Sequence, residues 1–67
     1  MRVFSGKRLR SARQAADVSR VALASAADVS YQSVRNWEAD ASVPKTNLLG
    51  VIANTLKVSI DDLFDEE

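Results

Sequence analysis

At 67 residues with neither cysteine nor histidine, the chain has no means of forming disulfides or thiolate metal sites and lacks the usual general base and zinc ligand. A chain this short forms one domain and buries only about 60% of the surface it exposes when unfolded, which argues against a deep catalytic cleft. The formal net charge is zero, yet residues 1–45 carry eight basic against four acidic side chains, while the remaining 22 set Lys57 against Asp61, Asp62, Asp65, Glu66 and Glu67; this asymmetry predicts a basic face for a polyanion and an acidic end kept away from it.

The start, Met1-Arg2-Val3-Phe4-Ser5, lacks the apolar stretch of a secretory signal, and no apolar run approaches the roughly 18 residues of a membrane span. A cytoplasmic protein with no membrane partner is therefore expected. Five hydroxyl residues, Ser5, Ser19, Ser30, Thr46 and Ser59, each stand just before a helical pattern, where the side chain can accept a bond from an orphan amide of the first turn. The first helix is predicted from Gly6 to about Ala16, with Leu9, Ala12, Arg13 and Ala16 on one face, and Asp17 ends it. The second runs from Arg20 to Ala27 and turns Leu23, Ala24 and Ala27 inward.

Asp28 breaks the second helix, Val29 plugs the core, and Ser30 opens a third helix from Tyr31 to about Ala39 with Val34 and Trp37 inward. That register makes Trp37 a core residue and not a platform for base stacking. Only three residues separate the second and third helices, and so short a connection favours the steep crossing of a helix-turn-helix. Asp40 to Lys45 has loop composition, and Pro44 disfavours helical geometry at Val43.

A fourth helix is predicted from about Asn47 to Leu56, with Leu49, Ile52, Ala53 and Leu56 inward and Gly50 costing up to about 1 kcal/mol relative to alanine. Leu48 and Val51 form a second apolar stripe that, with Phe64, either makes a subunit contact or completes the monomer core. Ser59 begins a final short turn through Asp62 to Phe64, with the spacing of a capping box. No segment alternates as a strand does. The expectation is an all-α single domain over residues 1–67, with a core of about 6–64 and five short helices.

The residues Gly6-Lys7-Arg8-Leu9-Arg10, Arg13, Val18-Ser19, Leu23-Ala24, Val29-Ser30, Val34, Trp37-Glu38, Pro44, Leu49, Ile52-Ala53, Leu56, Val58-Ser59 and Leu63-Phe64 stand in a joint register. In that register the chain resembles the repressor and Cro-type helix-turn-helix (XRE) family over nearly its whole length. The resemblance implies the lambda-repressor-like fold, with the third helix in the major groove of DNA and the second across the phosphate backbone. It implies Tyr31, Gln32, Arg35 and Asn36 as base contacts; Gln32 and Asn36 can pair with adenine and Arg35 with guanine, each for about 1–3 kcal/mol of discrimination. Arg10, Ser19, Arg20, Ser33 and Lys45 become phosphate candidates, and Arg13 and Glu38 a structural ion pair.

Two departures from the family pattern stand out. Arg20 occupies the position usually held by glutamine, and Asp28 and Asp40 occupy turn positions often held by glycine; aspartate tolerates the left-handed conformation better than most side chains. The reading is a DNA-binding transcription regulator, a repressor that reads a palindrome as a homodimer with Leu48, Val51 and Phe64 at the subunit contact. No catalytic residue, metal or cofactor is expected. A second class stays open: an antitoxin or other protein-interaction module whose partner is a protein, with Asp61 to Glu67 as the binding surface.

Overall fold

The structure, a computed structural model, describes residues 1–66. Its elements in chain order are β1 (Arg2–Phe4), α1 (Gly6–Ala15), α2 (Arg20–Ala27), α3 (Tyr31–Glu38), α4 (Thr46–Leu56), a 3₁₀ turn (Ile60–Leu63) and β2 (Phe64–Glu66). Four α-helices and a 3₁₀ turn thus stand where five helices were expected. Helix α2 packs on both α3 and α4, α1 packs on α3, and the 3₁₀ turn closes the core beneath α1 and α4.

Serine sets the first three helix starts. The hydroxyls of Ser5, Ser19 and Ser30 accept bonds from the amides of Arg8, Ala22 and Ser33 at 3.2, 3.0 and 3.1 Å, each satisfying a donor that has no partner inside its helix. Thr46 does not act this way. It is the first helical residue of α4, and the cap is Lys45, which makes no side-chain bond. At Ser59 the predicted reach-back bond is present, with its amide donating to Asp62 Oδ2 at 3.0 Å.

The helix ends share one device without a single glycine. Asp17, Asp28, Asp40 and Lys57 all lie in the left-handed region, with φ between 55° and 59°. In each case the next residue turns its amide back to a carbonyl five positions earlier: Val18 to Arg13, Val29 to Ala24, Ala41 to Asn36 and Val58 to Ala53, at 2.9–3.1 Å. Val18, Val29 and Val58 then pack against the core, the apolar contact that accompanies this helix ending.

One core gathers Phe4, Leu9, Leu23, Ala24, Ala27, Val34, Trp37, Ile52, Ala53, Leu56 and Leu63. Leu9, Leu23, Val34, Ile52 and Leu63 are fully buried, each contributing about 1.5–3 kcal/mol relative to exposure. Leu49, expected inside, is only half-buried against this cluster. Phe4 was not expected there. It enters the core because β1 and β2 pair antiparallel, Arg2 with Glu66, Val3 with Asp65 and Phe4 with Phe64, a contact between chain ends that no local pattern announces. Phe4 and Phe64 meet edge to face at 5.9 Å.

The ribbon also joins the two oppositely charged segments. The acidic end is not held apart from the basic segment: Arg2 bonds Asp61 at 2.7 Å, and Arg8 pairs with Asp65. Arg8 holds the Asp65 carboxyl below its ordinary range, chiefly by the hydrogen bond it donates. A depressed carboxyl stabilises the fold above the unfolded aspartate pKa and loses that contribution as pH falls through the lower folded value. Below about pH 4, urea midpoints should therefore fall faster for the parent than for Asp65→Asn; parallel curves would remove this contribution.

Gly6 is the tightest point of the fold. A Cβ there would lie 2.3 Å from the Trp37 carbonyl oxygen and 2.6 Å from that of Glu38, whereas one at Gly50 would meet nothing within 4 Å. Gly6→Ala should destabilise the domain by about 1–3 kcal/mol through overpacking. Gly50→Ala should stabilise it by about 1 kcal/mol through helix propensity. Urea titration of the two variants checks both signs, and equal midpoints would contradict the packing.

Candidate nucleic-acid interface

The short turn Asp28-Val29-Ser30 swings α3 across α2. The left-handed Asp28 reverses the chain, Val29 anchors it, and the Ser30 hydroxyl starts the next helix. Behind α3, Val34 and Trp37 are buried, Trp37 at 4% exposure. Its outer face is thereby fixed in place. Tyr31, Gln32 and Arg35 are exposed and Asn36 is half-buried; none of the four belongs to the core.

These four side chains divide into two edges. Gln32 Nε2 donates to Asn36 Oδ1 at 3.0 Å, so the two amides form one strip along the helix at the spacing of four that makes helical neighbours. Tyr31 lies on the other edge, beside the guanidinium of Arg20. Ser33 turns its hydroxyl to that of Ser30 at 3.0 Å. Ser19 caps α2, and Arg10 and Lys45 are exposed on α1 and at the start of α4.

Arg13 and Glu38 come together as an ion pair, but they are not alone. Arg13 Nε donates to Glu38 Oε2 at 2.6 Å, and its Nη2 reaches Oε1 at 3.4 Å; its Nη1 bonds the Val18 carbonyl at 2.9 Å. Arg20 Nε donates to Glu38 Oε1 at 3.0 Å. The Glu38 side chain is 4% exposed, so one buried carboxylate joins α1, α2 and α3. Glu38 raises the Arg20 pKa by its hydrogen bond and then its charge, with Tyr31 adding to the effect. Sequence placed Arg20 on phosphate alone; its bond to Glu38 follows from a helix crossing that spacing does not reveal.

Asp40 supplies a contact that sequence reasoning missed. Its Oδ1 accepts the amide of Gly6 at 2.8 Å, capping α1 from 34 residues away. The signal was a glycine at a helix start facing an aspartate at a helix end, and neither is informative without the fold. The expected subunit-contact residues also separate. Leu48 and Phe64 pack against the monomer core, and Phe64 further carries Phe4 at its edge and the Arg2 guanidinium 5.0 Å from its ring centre. Val51 is 40% exposed. The ribbon thus gives Phe64 contacts within the subunit while leaving it half-buried.

Among the described residues, no group of three or more Asp or Glu could hold a metal ion, and no helix is long and apolar enough to cross a membrane. A protein-family profile described as helix-turn-helix matches residues 9–63. Among solved structures, the chain is similar to the P22 c2 repressor protein crystallised in complex with synthetic operator 9T in the presence of Tl⁺. The two are 26% identical, with a TM-score of 0.82 over 91% of this chain and 92% of that one. A search of curated proteins found no match.

The buried pair generates a stability prediction. Glu38→Gln keeps the shape but leaves Arg13 and Arg20 without their anion, and breaking a buried pair from one side costs about 3–5 kcal/mol. Thermal melts should show a large loss; a variant melting with the parent would mean that Glu38 does not lock the helices together.

Proposed function

Because the chain belongs to the helix-turn-helix family, we propose that it is a DNA-binding transcription regulator, and specifically a repressor that occupies a palindromic operator as a homodimer in the cytoplasm. The observation that carries this reading is the outer face of α3: polar, uncovered, and braced from behind by Val34 and Trp37. The likeness to a repressor bound to operator DNA supports it. Gln32 and Asn36 read base edges, each able to offer a paired donor and acceptor to adenine, and Tyr31 packs beside them on a thymine methyl or a phosphate.

Ser19, at the N-terminus of α2, presents orphan amides and the positive end of the helix dipole to a phosphate. Arg10, Arg20, Ser33 and Lys45 add positioning contacts that carry no sequence information. A single domain of this size touches too few base pairs for selectivity against a genome. A second copy, joined through Leu48 and Val51 on α4 together with Phe64, places two recognition helices about 34 Å apart on successive major grooves.

Selection of bound duplexes from a random pool tests the proposal. The expected product is a palindrome with half-sites about one helical turn apart, bound with an affinity that falls steeply with salt. Gln32→Ala should alter the recovered motif at one position in each half-site. Failure to retard any duplex at low salt would overturn the DNA-binding reading and favour a protein partner.

A further inference from the structure

Arg35 was expected among the base readers, yet the fold sets it apart from the Gln32–Asn36 strip. It lines a cleft of about 170 Å³ together with Arg10 of α1, Arg20 of α2, Glu38 and Ala39. That space admits several waters, and with them a tetrahedral anion. Three arginines from three helices converge on one opening, and the carboxylate at its floor is already engaged. Glu38 Oε2 accepts from Arg13 and Oε1 from Arg20 and Arg13, so four cations share this region with one anion.

Neither Arg10 nor Arg35 pairs with a carboxylate among the described residues. Like charges gathered this way repel one another unless an anion completes the set. Arginine, with its planar fork of donors, is the side chain best shaped to hold phosphate oxygens. Glu38 accepts from Arg20 Nε, which orients the Arg20 side chain that lines the cleft.

We propose that Arg10, Arg20 and Arg35 form a single pocket for one backbone phosphate diester of duplex DNA, with Glu38 as the residue that positions Arg20 in it. Arg35 then contributes affinity and not base identity. A lone phosphate seated between α1, α2 and α3 sets the depth at which the neighbouring Gln32–Asn36 strip meets the bases. The proposal rests on the DNA-binding reading above, and the parent protein's binding to selected duplexes tests that reading separately.

The experiment uses the full chain, a duplex from the selection, and variants of the exposed Arg35, whose replacement leaves the core intact. Arg35→Ala should weaken binding at least about tenfold on preferred and non-preferred duplexes alike. It should leave the selected motif unchanged and make the log–log salt slope shallower, by up to about 0.9 per bound protomer. Arg35→Lys should restore the slope.

Neutral methylphosphonates, introduced one at a time along a half-site, identify the phosphate. At one position the substitution should weaken the parent by more than it weakens Arg35→Ala, which keeps Arg10 and Arg20 on the same phosphate. A changed base preference in Arg35→Ala, an unchanged affinity, a slope that lysine fails to restore, or the absence of any such methylphosphonate position would each overturn the proposal. Should the parent bind no duplex at all, the underlying DNA reading falls first.

Discussion

The position of everything on the outer face of α3 depends on one carboxylate buried at the far end of that helix. Glu38 receives Arg13 from α1 and Arg20 from α2, so the three helices have a shared electrostatic pin. Such a cluster contributes little net stability over an apolar replacement, because desolvating the charges offsets most of their attraction. Its value lies in geometry. Arg13 and Arg20 meet the two oxygens of one carboxylate from two different helices, so turning α3 breaks directional bonds as well as packing.

Close packing completes what the charge begins. The absence of a side chain at Gly6 lets the first turn of α1 rest directly on the last carbonyls of α3, and Asp40 reaches from just beyond α3 to the Gly6 amide. Asp40 therefore does two tasks: it takes the left-handed conformation that ends α3, and it caps α1. Asp28 ends α2 in the same conformation and remains exposed.

Much of the helical framework was legible because its signals are local. The caps at Ser5, Ser19 and Ser30, the stops at Asp17 and Asp28, the inward registers of Leu23, Val34 and Trp37, and the three-residue turn each follow from neighbours in sequence. The lambda-repressor-like architecture came from the joint register of such positions. What escaped is contact across the chain. Phe4 and β1 are invisible until β2 lies beside them, although oppositely charged ends, Arg2 against Asp65 and Glu66, offered a hint. Thr46 carried a plausible capping signal that Lys45 displaced by one residue. The candidate readers were legible as a polar helix face, but their division into an amide strip and an arginine edge was not, because it depends on where α1 and α2 bring Arg10 and Arg20.

The pairing of Arg2–Phe4 with Phe64–Glu66 joins the two ends of the described chain and so makes the fold nearly circular. A ribbon of two short strands has no independent stability, and closing a loop this long carries an entropic cost that the helices must first offset. The ribbon accordingly depends on the helices for its stability. Its opening would bare Phe4 and the top of the core while leaving α3 and its exposed face in place, so hydrogen exchange at these few amides would report the closing of the ribbon alone.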